Sequence, residues 1–197
     1  MCIRDSGEKG VDWMVGDAQG NFHPVIYSDK EFPSVLAVDV GLRAGFAKYN
    51  VSYPPFNYFT STQLAVLPAS VVSYLRTHPD TNYVFLPFDP AAESVVPAIA
   101  NAGFNNVKLV SVLGDSVNQK FIQDGKVQAA SLAYDNIYMG YAIVDQTIRL
   151  LNKQPLSQPI GENLPFVVLD KTNLPPGLGT WTTPLFDYKS EFMKLWQ

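Results

Sequence analysis

The sequence predicts an α/β protein whose core is an open parallel sheet flanked by helices. Two kinds of segment alternate along its middle: short apolar runs rich in β-branched residues, and amphipathic segments of helical length. The short runs cover residues 83–87, 107–112 and 127–132, and the helical segments cover residues 90–102, 115–123 and 136–152. Because the short runs show no polar alternation, we expect strands that are buried on both faces. Such strands, joined by crossover helices, are typical of a parallel sheet.

The part of the chain before this alternation adds further strands and helices. The predicted strands are residues 23–27 and 56–59, and the predicted helices are residues 32–49 and 60–77. Pro33 fits the first turn of its helix, where its missing N–H is no loss. Pro68 is a defect in the next helix unless the helix is kinked there. Residues 8–18 are predicted as a weaker helix, whose packing partners we expect to lie outside this sequence.

Beyond residue 152 the sequence becomes rich in proline. Six prolines punctuate a long segment that contains one clear strand, residues 166–169, and this segment is expected to wrap a surface. Residues 187–196 place Phe192, Leu195 and Trp196 on one helical face, which predicts a short docking helix.

The composition excludes several classes of partner. Of the 197 residues 47% are apolar, and 14 basic against 18 acidic side chains give a net charge of −4. Without a cluster of lysines and arginines, nucleic acid and anionic membrane surfaces are poor candidate partners. Cys2 alone cannot form an internal disulfide, and with only His23 and His78 a transition-metal site is not expected. No apolar run approaches the about 18 residues that span a bilayer, so direct membrane insertion is not predicted.

Residues 1–6 lead into no recognisable element, and no charged, apolar and small-residue series of the signal-peptide kind follows them. We expect a non-native start joined to a chain whose natural beginning is missing, so that Cys2 carries no weight.

Motifs that would indicate an enzyme are absent from the sequence. It contains neither a Gly-x-Gly-x-x-Gly nor a Walker-type phosphate loop, so nucleotide binding by those routes is not predicted. The Gly-x-Ser-x-Gly turn of hydrolases is also lacking. His23 and His78 each precede a proline, at a strand start or in a loop, which leaves no candidate base. We therefore predict no enzyme activity and no cofactor.

The candidate ligand site lies where the predicted parallel strands end. In open parallel sheets the ligand crevice lies beyond the carboxyl ends of the strands. The predicted ligand-binding residues in these loops are Asp29, Phe32, Phe88, Asp89, Gly114, Asp115, Tyr134 and Asn136. Flat rings can stack on the apolar faces of sugars, while carboxylates and amides can hold the hydroxyls.

Each of these residue types also has a structural explanation. Asp89 and Asp115 could meet as paired carboxylates across the crevice, but N-capping of the helices that follow explains them at least as well. The rings of Phe32, Phe88 and Tyr134 could instead pack the top of the sheet. Capping and ligand contact are compatible, so both alternatives stay open.

Several short motifs follow one another from residue 29 to the end of the chain. They are Gly45-Phe46, His78-Pro-Asp80, Tyr83-Val-Phe85 before Asp89, Gln123-Asp-Gly-Lys126, Met139-Gly140 and the segment 148–151. In order and spacing this set resembles the C-terminal lobe and closing tail of type I periplasmic solute-binding proteins, the ribose-binding-protein-like family that serves ABC transporters. The ending, residues 187–196, resembles the sugar-type substrate-binding members.

The resemblance implies one lobe of a two-lobe fold that traps ligand by hinge closure. Residues 22–135 would form the C-terminal ligand-binding lobe. Residues 136–197 would be a crossover helix and closing tail that pack on a missing N-terminal lobe, and residues 1–21 would combine the non-native start with a remnant of that lobe or of a crossover helix. A fragment of this kind is expected to bind its ligand weakly or not at all.

The resemblance also implies a function. The chain would belong to the substrate-binding component of an ABC importer, either periplasmic or an extracytoplasmic lipoprotein. Its ligand would be a small molecule, a carbohydrate or similar polar solute, bound without chemistry. Its protein partner would be an ABC permease of the inner membrane.

Departures from the family pattern bear on the ligand. Leu42 stands where ribose-type members have arginine, and Phe88 stands where they have asparagine. Residues 111–113 replace a Gly-Phe-Asp motif, and Tyr134 stands in place of a glutamine. The polar set that grasps a pentose is therefore largely not carried over, which weakens the sugar assignment and leaves the fold unaffected.

Other functions share this fold. The effector-binding domain of a lac-repressor-like transcription regulator would be preceded by a helix-turn-helix with a basic face, which these residues do not contain. A periplasmic sensor lobe would differ only in docking to a membrane receptor. A doubly wound enzyme is disfavoured by the missing nucleophile and phosphate loops.

Overall fold

The computed structural model describes residues 3–158 and 162–196, so Cys2 lies outside the described residues. Their helices are α1 (Ile3–Ala18), α2 (Pro33–Lys48), α3 (Leu67–Thr77), α4 (Asp89–Asn101), α5 (Ser116–Gln123), α6 (Asn136–Leu151) and α7 (Tyr188–Leu195). The strands are β1 (Pro24–Asp29), β2 (Phe56–Phe59), β3 (Tyr83–Phe85), β4 (Lys108–Leu113), β5 (Gln128–Tyr134) and β6 (Phe166–Asp170). A short 3₁₀ helix at Ser61–Gln63 precedes α3.

The strands form one six-stranded sheet in the order β2-β1-β3-β4-β5-β6. Neighbours from β2 to β5 pair in parallel, which confirms the predicted open parallel sheet and α/β class. Strand β6 pairs antiparallel with β5, with Tyr134 opposite Phe166, so the sheet as a whole is mixed. The direction of β6 was not predicted, because periodicity indicates a strand and says nothing about its orientation.

Helices cover both faces of the sheet. Val84 and Leu109 point into an apolar core shared with α3 and α4, which contribute Val71 and Val95 among others. On the opposite face Phe85 and Val110 belong to a second core, shared with α1 and α2. Because strand side chains alternate between faces, two cores require apolar residues at successive positions, which is why these strands show no polar alternation.

Helix α1 begins at Ile3 and packs along α2, which differs from the predicted start at residue 8 and from the expected absence of partners. The contact depends on two glycines. A Cβ on Gly7 would lie 2.1 Å from the carbonyl oxygen of Val38, and one on Gly41 would lie 1.8 Å from that of Arg4. Glycine lowers helix propensity, so the residues that allow this backbone contact also weaken the sequence pattern of the helix.

The proline expected to disturb the helix after residue 60 causes no kink. Helix α3 begins only at Leu67, so Pro68 occupies its first turn, where no intrahelical N–H is needed. A short 3₁₀ helix precedes it. Its capping box joins the side chains of Thr60 and Gln63 to the backbone.

Candidate functional site

A cleft of about 460 Å³ opens at the carboxyl ends of the parallel strands, and we call it the rim cleft. Most of its lining is apolar, with three small polar side chains at its margin. The lining residues are Phe32, Ser34, Val35, Val38, Ser61, Leu64, Pro87, Phe88, Pro90, Val112, Leu113, Tyr134, Asn136, Met139 and Leu164. Its position agrees with the general rule for ligand sites in open parallel sheets.

Four of the eight predicted site residues line the rim cleft: Phe32, Phe88, Tyr134 and Asn136. The other four lie beneath it or beside it. Asp29 and Asp89 are fully buried, and Gly114 is buried as well. Asp115 is partly buried and immediately precedes α5. The structure therefore brings the aromatic and amide residues together at the cleft, and places the acidic residues in its support.

Three phenylalanine rings form a row from the core to the mouth of the cleft. Phe59 is buried, and its ring meets Phe88 edge to face with centroids 6.0 Å apart. Phe88 in turn meets Phe32 at 6.4 Å with an interplanar angle of 86°. The ring of Phe32 is 46% exposed, so the row ends on an aromatic surface that is open to solvent. The rings thus both pack the sheet top and line the site.

Tyr134 forms the opposite side of the cleft at the end of β5. Its hydroxyl donates to Ser6 Oγ at 2.7 Å, which fixes the ring and brings the beginning of α1 next to the site. The ring is also 6.2 Å from that of Phe166, on the neighbouring strand β6. Tyr134 is 9% exposed, so its contribution to the cleft is mainly an apolar surface.

Asp89 is the centre of a buried hydrogen-bond network below the cleft. Its carboxylate accepts from the backbone N–H of Asp115 at 2.6 Å, from Ser131 Oγ at 2.9 Å and from the hydroxyl of Ser111. Gln128 Nε2 extends the network by donating to Ser111 Oγ at 2.7 Å. Loss of hydration on burial raises the pKa of Asp89 to about 7, although the hydroxyl and amide donors oppose this shift.

The same network holds a strained turn at the end of β4. Leu113 has a backbone φ of 125°, which residues other than glycine rarely adopt. Gly114 follows with a φ of 76°, and a Cβ there would lie 2.3 Å from that of Ala133. The N–H of Gly114 donates to Ser131 Oγ at 3.0 Å, which ties this turn to β5. The turn therefore presents Leu113 to the cleft at a cost in backbone energy.

Neither Asp89 nor Asp115 caps the helix at whose start it lies. Asp115 occupies the N-cap position of α5, but its side chain makes no capping hydrogen bond. Asp89 lies inside the first turn of α4 and binds the N–H of Asp115 instead. The alternative explanation by simple N-capping is wrong in this form, because the Asp89 carboxylate serves the neighbouring loop and not its own helix.

Asp29 anchors the loop between β1 and α2. Its Oδ1 accepts from the N–H of Glu31 at 2.8 Å, while its buried Oδ2 has no hydrogen-bond partner among the described residues. Glu31 then accepts from the N–H and the hydroxyl of Ser61, at 2.6 and 2.7 Å. These bonds join the loop that carries Phe32 to the 3₁₀ helix, whose Ser61 also lines the cleft.

A further buried aspartate, Asp135, lies at the end of β5, between the sheet and α6. Its carboxylate accepts from the N–H of Tyr138 at 2.9 Å, from the N–H of Thr183 at 2.7 Å and from the hydroxyl of Tyr188 at 3.3 Å. Its own N–H donates to the carbonyl oxygen of Pro165 at 3.0 Å. Three separate passages of the chain therefore meet at one residue, beside a cavity of about 620 Å³.

Sequence reasoning missed most of the apolar lining of the cleft. Val35 and Val38 on α2 and Val112 on β4 were assigned only to helical or strand patterns. Leu164 and Met139 come from segments expected to pack elsewhere. The available signal was that the apolar character of the strands continues into the loops beyond them, where polar ligand-binding residues were sought.

Within residues 3–158 and 162–196 no helix has the length and apolar character needed to cross a membrane. In the same residues no group of three or more histidine, cysteine, aspartate and glutamate side chains is arranged to hold a metal ion.

The strand order, the crossover helices and the cleft at the strand ends define a class of protein. The chain has the type I periplasmic binding protein fold, as a single lobe, and this confirms the fold that its motifs implied. No protein-family model matches the sequence, and no curated protein sequence matches it either. The assignment to a fold therefore comes from three-dimensional structure.

Solved structures of this fold include several carbohydrate-binding transport proteins. A sugar ABC transport substrate-binding protein from Bordetella parapertussis superposes with a TM-score of 0.70 at 21% identity, over 88% of this chain and 57% of its own. GanP, a glucose-galactose binding protein from Geobacillus stearothermophilus, has a TM-score of 0.76 at 15% identity, covering 88% and 61%. A Caulobacter myo-inositol binding protein bound to myo-inositol has a TM-score of 0.73 at 15% identity, over 87% of this chain and 59% of its own. The chain thus spans about three fifths of the length of these proteins.

Proposed function

We propose that this chain is the ligand-binding lobe of an ABC-importer substrate-binding protein that captures a small neutral solute of the carbohydrate class. The observation that carries the proposal is the rim cleft, which lies at the strand ends and is lined by an exposed aromatic ring. The structures with the same fold that bind glucose and galactose or myo-inositol support the class of ligand. An inner-membrane ABC permease would be the protein partner.

The proposal assigns binding without chemistry. Hydrolytic or transfer chemistry needs a nucleophile with an effective base in reach, and the described residues that line the cleft include no histidine and no carboxylate. Glu31 lies beside the cleft and accepts from the hydroxyl of Ser61 at 2.7 Å, but the hydrogen bonds from Ser61 lower the pKa of Glu31 and make it a weaker base. Phe32, Phe88, Tyr134 and Asn136 would contact the ligand. Asp29, Asp89, Gly114 and Asp115 would position the loops that carry these contacts.

The segment from residue 136 onward would pack on a second lobe. Helix α6 leaves several apolar side chains exposed, with Ile143 at 59% and Leu150 at 67%. Helices of soluble proteins normally turn such a stripe toward a partner surface. The proteins of the same fold are longer than this chain by about the length of such a lobe, and an extracytoplasmic location would follow from the importer role.

Titration of the isotope-labelled chain with neutral sugars and inositol, followed by amide chemical shifts, tests the proposal. We expect binding in the millimolar range, because one lobe supplies only part of the contacts that hinge closure provides. The shifts should be largest at Phe32, Phe88 and Asn136. Shifts confined to other surfaces would refute the site, and micromolar affinity of this chain alone would refute the need for a second lobe.

A further inference from the structure

The rim cleft offers few groups to a ligand rich in hydroxyls. Its polar side chains are Ser34, Ser61 and Asn136, and the hydroxyl of Ser61 already donates to Glu31 at 2.7 Å. The polar side chains nearest the strand ends, such as Asp89 and Ser131, are fully buried and bonded to each other. A hydroxyl that loses water on binding must gain a new partner, because an unsatisfied buried polar group is costly.

The cleft also offers nothing to a charged ligand. None of the described residues that line it carries a charge. A carboxylate or ammonium group that entered would lose hydration without gaining an ion pair, which is strongly unfavourable. The ligand surface that faces this lobe is therefore neutral and largely apolar.

The apolar lining presents aromatic surface to a ligand. Phe59, Phe88 and Phe32 contact one another edge to face, and the outermost ring, Phe32, is 46% exposed at the mouth of the cleft. Edge-to-face and offset contacts between aromatic rings stabilise more than their buried area alone. Tyr134 closes the opposite side, and its hydroxyl is held by Ser6. An aromatic ring inserted between these walls would extend the existing row.

The strained turn is an independent sign of apolar recognition. At a φ of 125° Leu113 costs backbone energy that a glycine would avoid. The turn is held by hydrogen bonds to Ser131 and Asp89, and the side chain that it presents to the cleft is a leucine. Strained residues of this kind concentrate at ligand contacts.

From these observations we infer that the ligand of the rim cleft is a neutral polyol that carries an aromatic ring, and that this lobe binds the ring. The inference rests on the proposed function and adds to it the part of the ligand that this lobe recognises. The hydroxyls would then be bound by Asn136 and Ser34 at the margin and by groups outside this lobe.

Matched pairs of ligands test the inference on the chain as it stands. Phenyl and methyl β-glycosides of glucose, galactose and xylose differ within each pair only in the aglycone. Amide shifts and saturation transfer should show that the phenyl member binds about tenfold more tightly, the effect of about 1.4 kcal/mol of ring contact. Its aryl protons should receive the strongest saturation. Phenyl β-glucuronide, which is charged, should bind more weakly than phenyl β-glucoside.

Each result bears on a different claim. Methyl glycosides that bind as tightly as their phenyl partners, with shifts at the cleft, would overturn the inference and leave the proposed function standing. Cleft residues that respond to neither member of any pair would overturn both. A phenyl glucuronide that binds more tightly than the glucoside would overturn the assignment of a neutral ligand.

Variants separate recognition from folding. Phe32→Ala should abolish the preference for the phenyl member of each pair, whereas Phe186→Ala should leave it unchanged. Phe186 is a matched control because it is 49% exposed, against 46% for Phe32, and lines a different cavity. Leu113→Gly should weaken phenyl binding in a chain that still folds, because relief of the backbone strain offsets part of the packing that Leu113 gives to the neighbouring core, and a thermal melt checks the fold. Unchanged phenyl binding in both Phe32→Ala and Leu113→Gly would overturn the inference.

Discussion

Asp89 and Asp135 are two fully buried carboxylates at the edge of the same sheet, yet they hold together very different regions. The partners of Asp89 come from the middle of β4 and β5 and from the turn between β4 and α5, so its network lies inside the sheet body. Asp135 caps α6 through Tyr138, and its carboxylate also accepts from Thr183 and Tyr188, which are far away in sequence. Asp89 stabilises the residues beneath the cleft, and Asp135 joins the sheet to α6 and to the segment that begins α7.

The surroundings of the two residues differ in the same way. Around Asp89 the sheet is covered by helices on both faces, and the apolar core on each face is buried. Beyond Asp135, the described residues of α6 and α7 share a small aromatic cluster built on Tyr138, Tyr188 and Phe192, and Trp196 Nε1 at the end of α7 donates to Asp145 of α6 at 2.9 Å. We call α6 and α7 the crossover unit. We therefore expect the sheet body to be the more stable region, while the crossover unit depends on few contacts.

The largest effect is expected for Asp89→Ala. This variant leaves the N–H of Asp115 and the hydroxyls of Ser111 and Ser131 buried without their acceptor, which should lower the free energy of unfolding by about 3 kcal/mol or more. Urea denaturation measures it. Asp115→Ala is the control, with a loss below about 1 kcal/mol because its side chain does not cap α5. Equal losses in the two variants would show that the network is not the hub of the sheet body.

A glycine pair compares packing in the two regions. In Gly41→Ala the new Cβ would lie 1.8 Å from the Arg4 carbonyl oxygen, so α1 and α2 must separate. We expect a loss of about 2 kcal/mol in the free energy of unfolding, typical of overpacking. Gly140 in α6 has no atom within 4 Å of such a Cβ. Gly140→Ala should therefore stabilise this chain by about 0.5 kcal/mol through helix propensity. Thermal melts of both variants decide, and a destabilised Gly140→Ala would contradict the open surface of α6.

A smaller and local effect is expected for Asp135→Ala. The variant removes the N-cap of α6 and the acceptor for Thr183, which should reduce the protection of the crossover unit by about 1–2 kcal/mol. Hydrogen exchange should show faster exchange in α6 and α7 and unchanged exchange in β3 and β4. Asp187→Ala removes only the cap of α7 and is the control. Faster exchange throughout the sheet after Asp135→Ala would refute the division into two regions.

The smallest effect is the pH dependence that Asp89 confers. Burial raises its pKa from an ordinary value of 3.8 to about 7, so the folded chain holds a proton that the unfolded chain releases. The stabilisation is present at low pH and is lost as the pH rises toward the folded pKa, by about 1 kcal/mol between pH 6 and 7. Urea denaturation of the wild type and Asp89→Asn at both pH values isolates this contribution. A wild type that gains stability over this range relative to Asp89→Asn would show the opposite sign.

The sequence predicted the elements of the sheet body well, and the reason is physical. Buried parallel strands need apolar residues at consecutive positions, as in β3 and β4, and this requirement is visible without any contact being known. The boundary of α3 and the beginning of α1 were less well predicted. Pro68 has one meaning inside a helix and another in its first turn, and Gly7 weakens a helix pattern that its contact with α2 makes possible.

The candidate site divides along the same line. The rule that ligands bind at strand ends placed Phe32, Phe88, Tyr134 and Asn136 at the cleft from sequence alone. It could not decide whether Asp89 faces a ligand or lies buried beneath the turn. The rule gives the position of a residue after a strand, but not how deeply its side chain is buried. Leu113 was missed since a strained φ is a property of the folded backbone and leaves no mark on the residue type.

Local chemistry alone therefore determined that this protein is an α/β sheet protein, and it placed the loops of residues 29–32, 88–89, 114–115 and 134–136 at the carboxyl ends of the strands. Only the tertiary structure decided that β6 runs antiparallel, that Asp89 and Asp135 are buried, and that the cleft is lined by apolar groups. The spacing of apolar residues along a helix or strand indicates which of its faces is buried, because burial favours an apolar residue at each buried position. Direction, depth and hydrogen-bond partners depend on residues that are distant in sequence, and they exist only once the chain has folded.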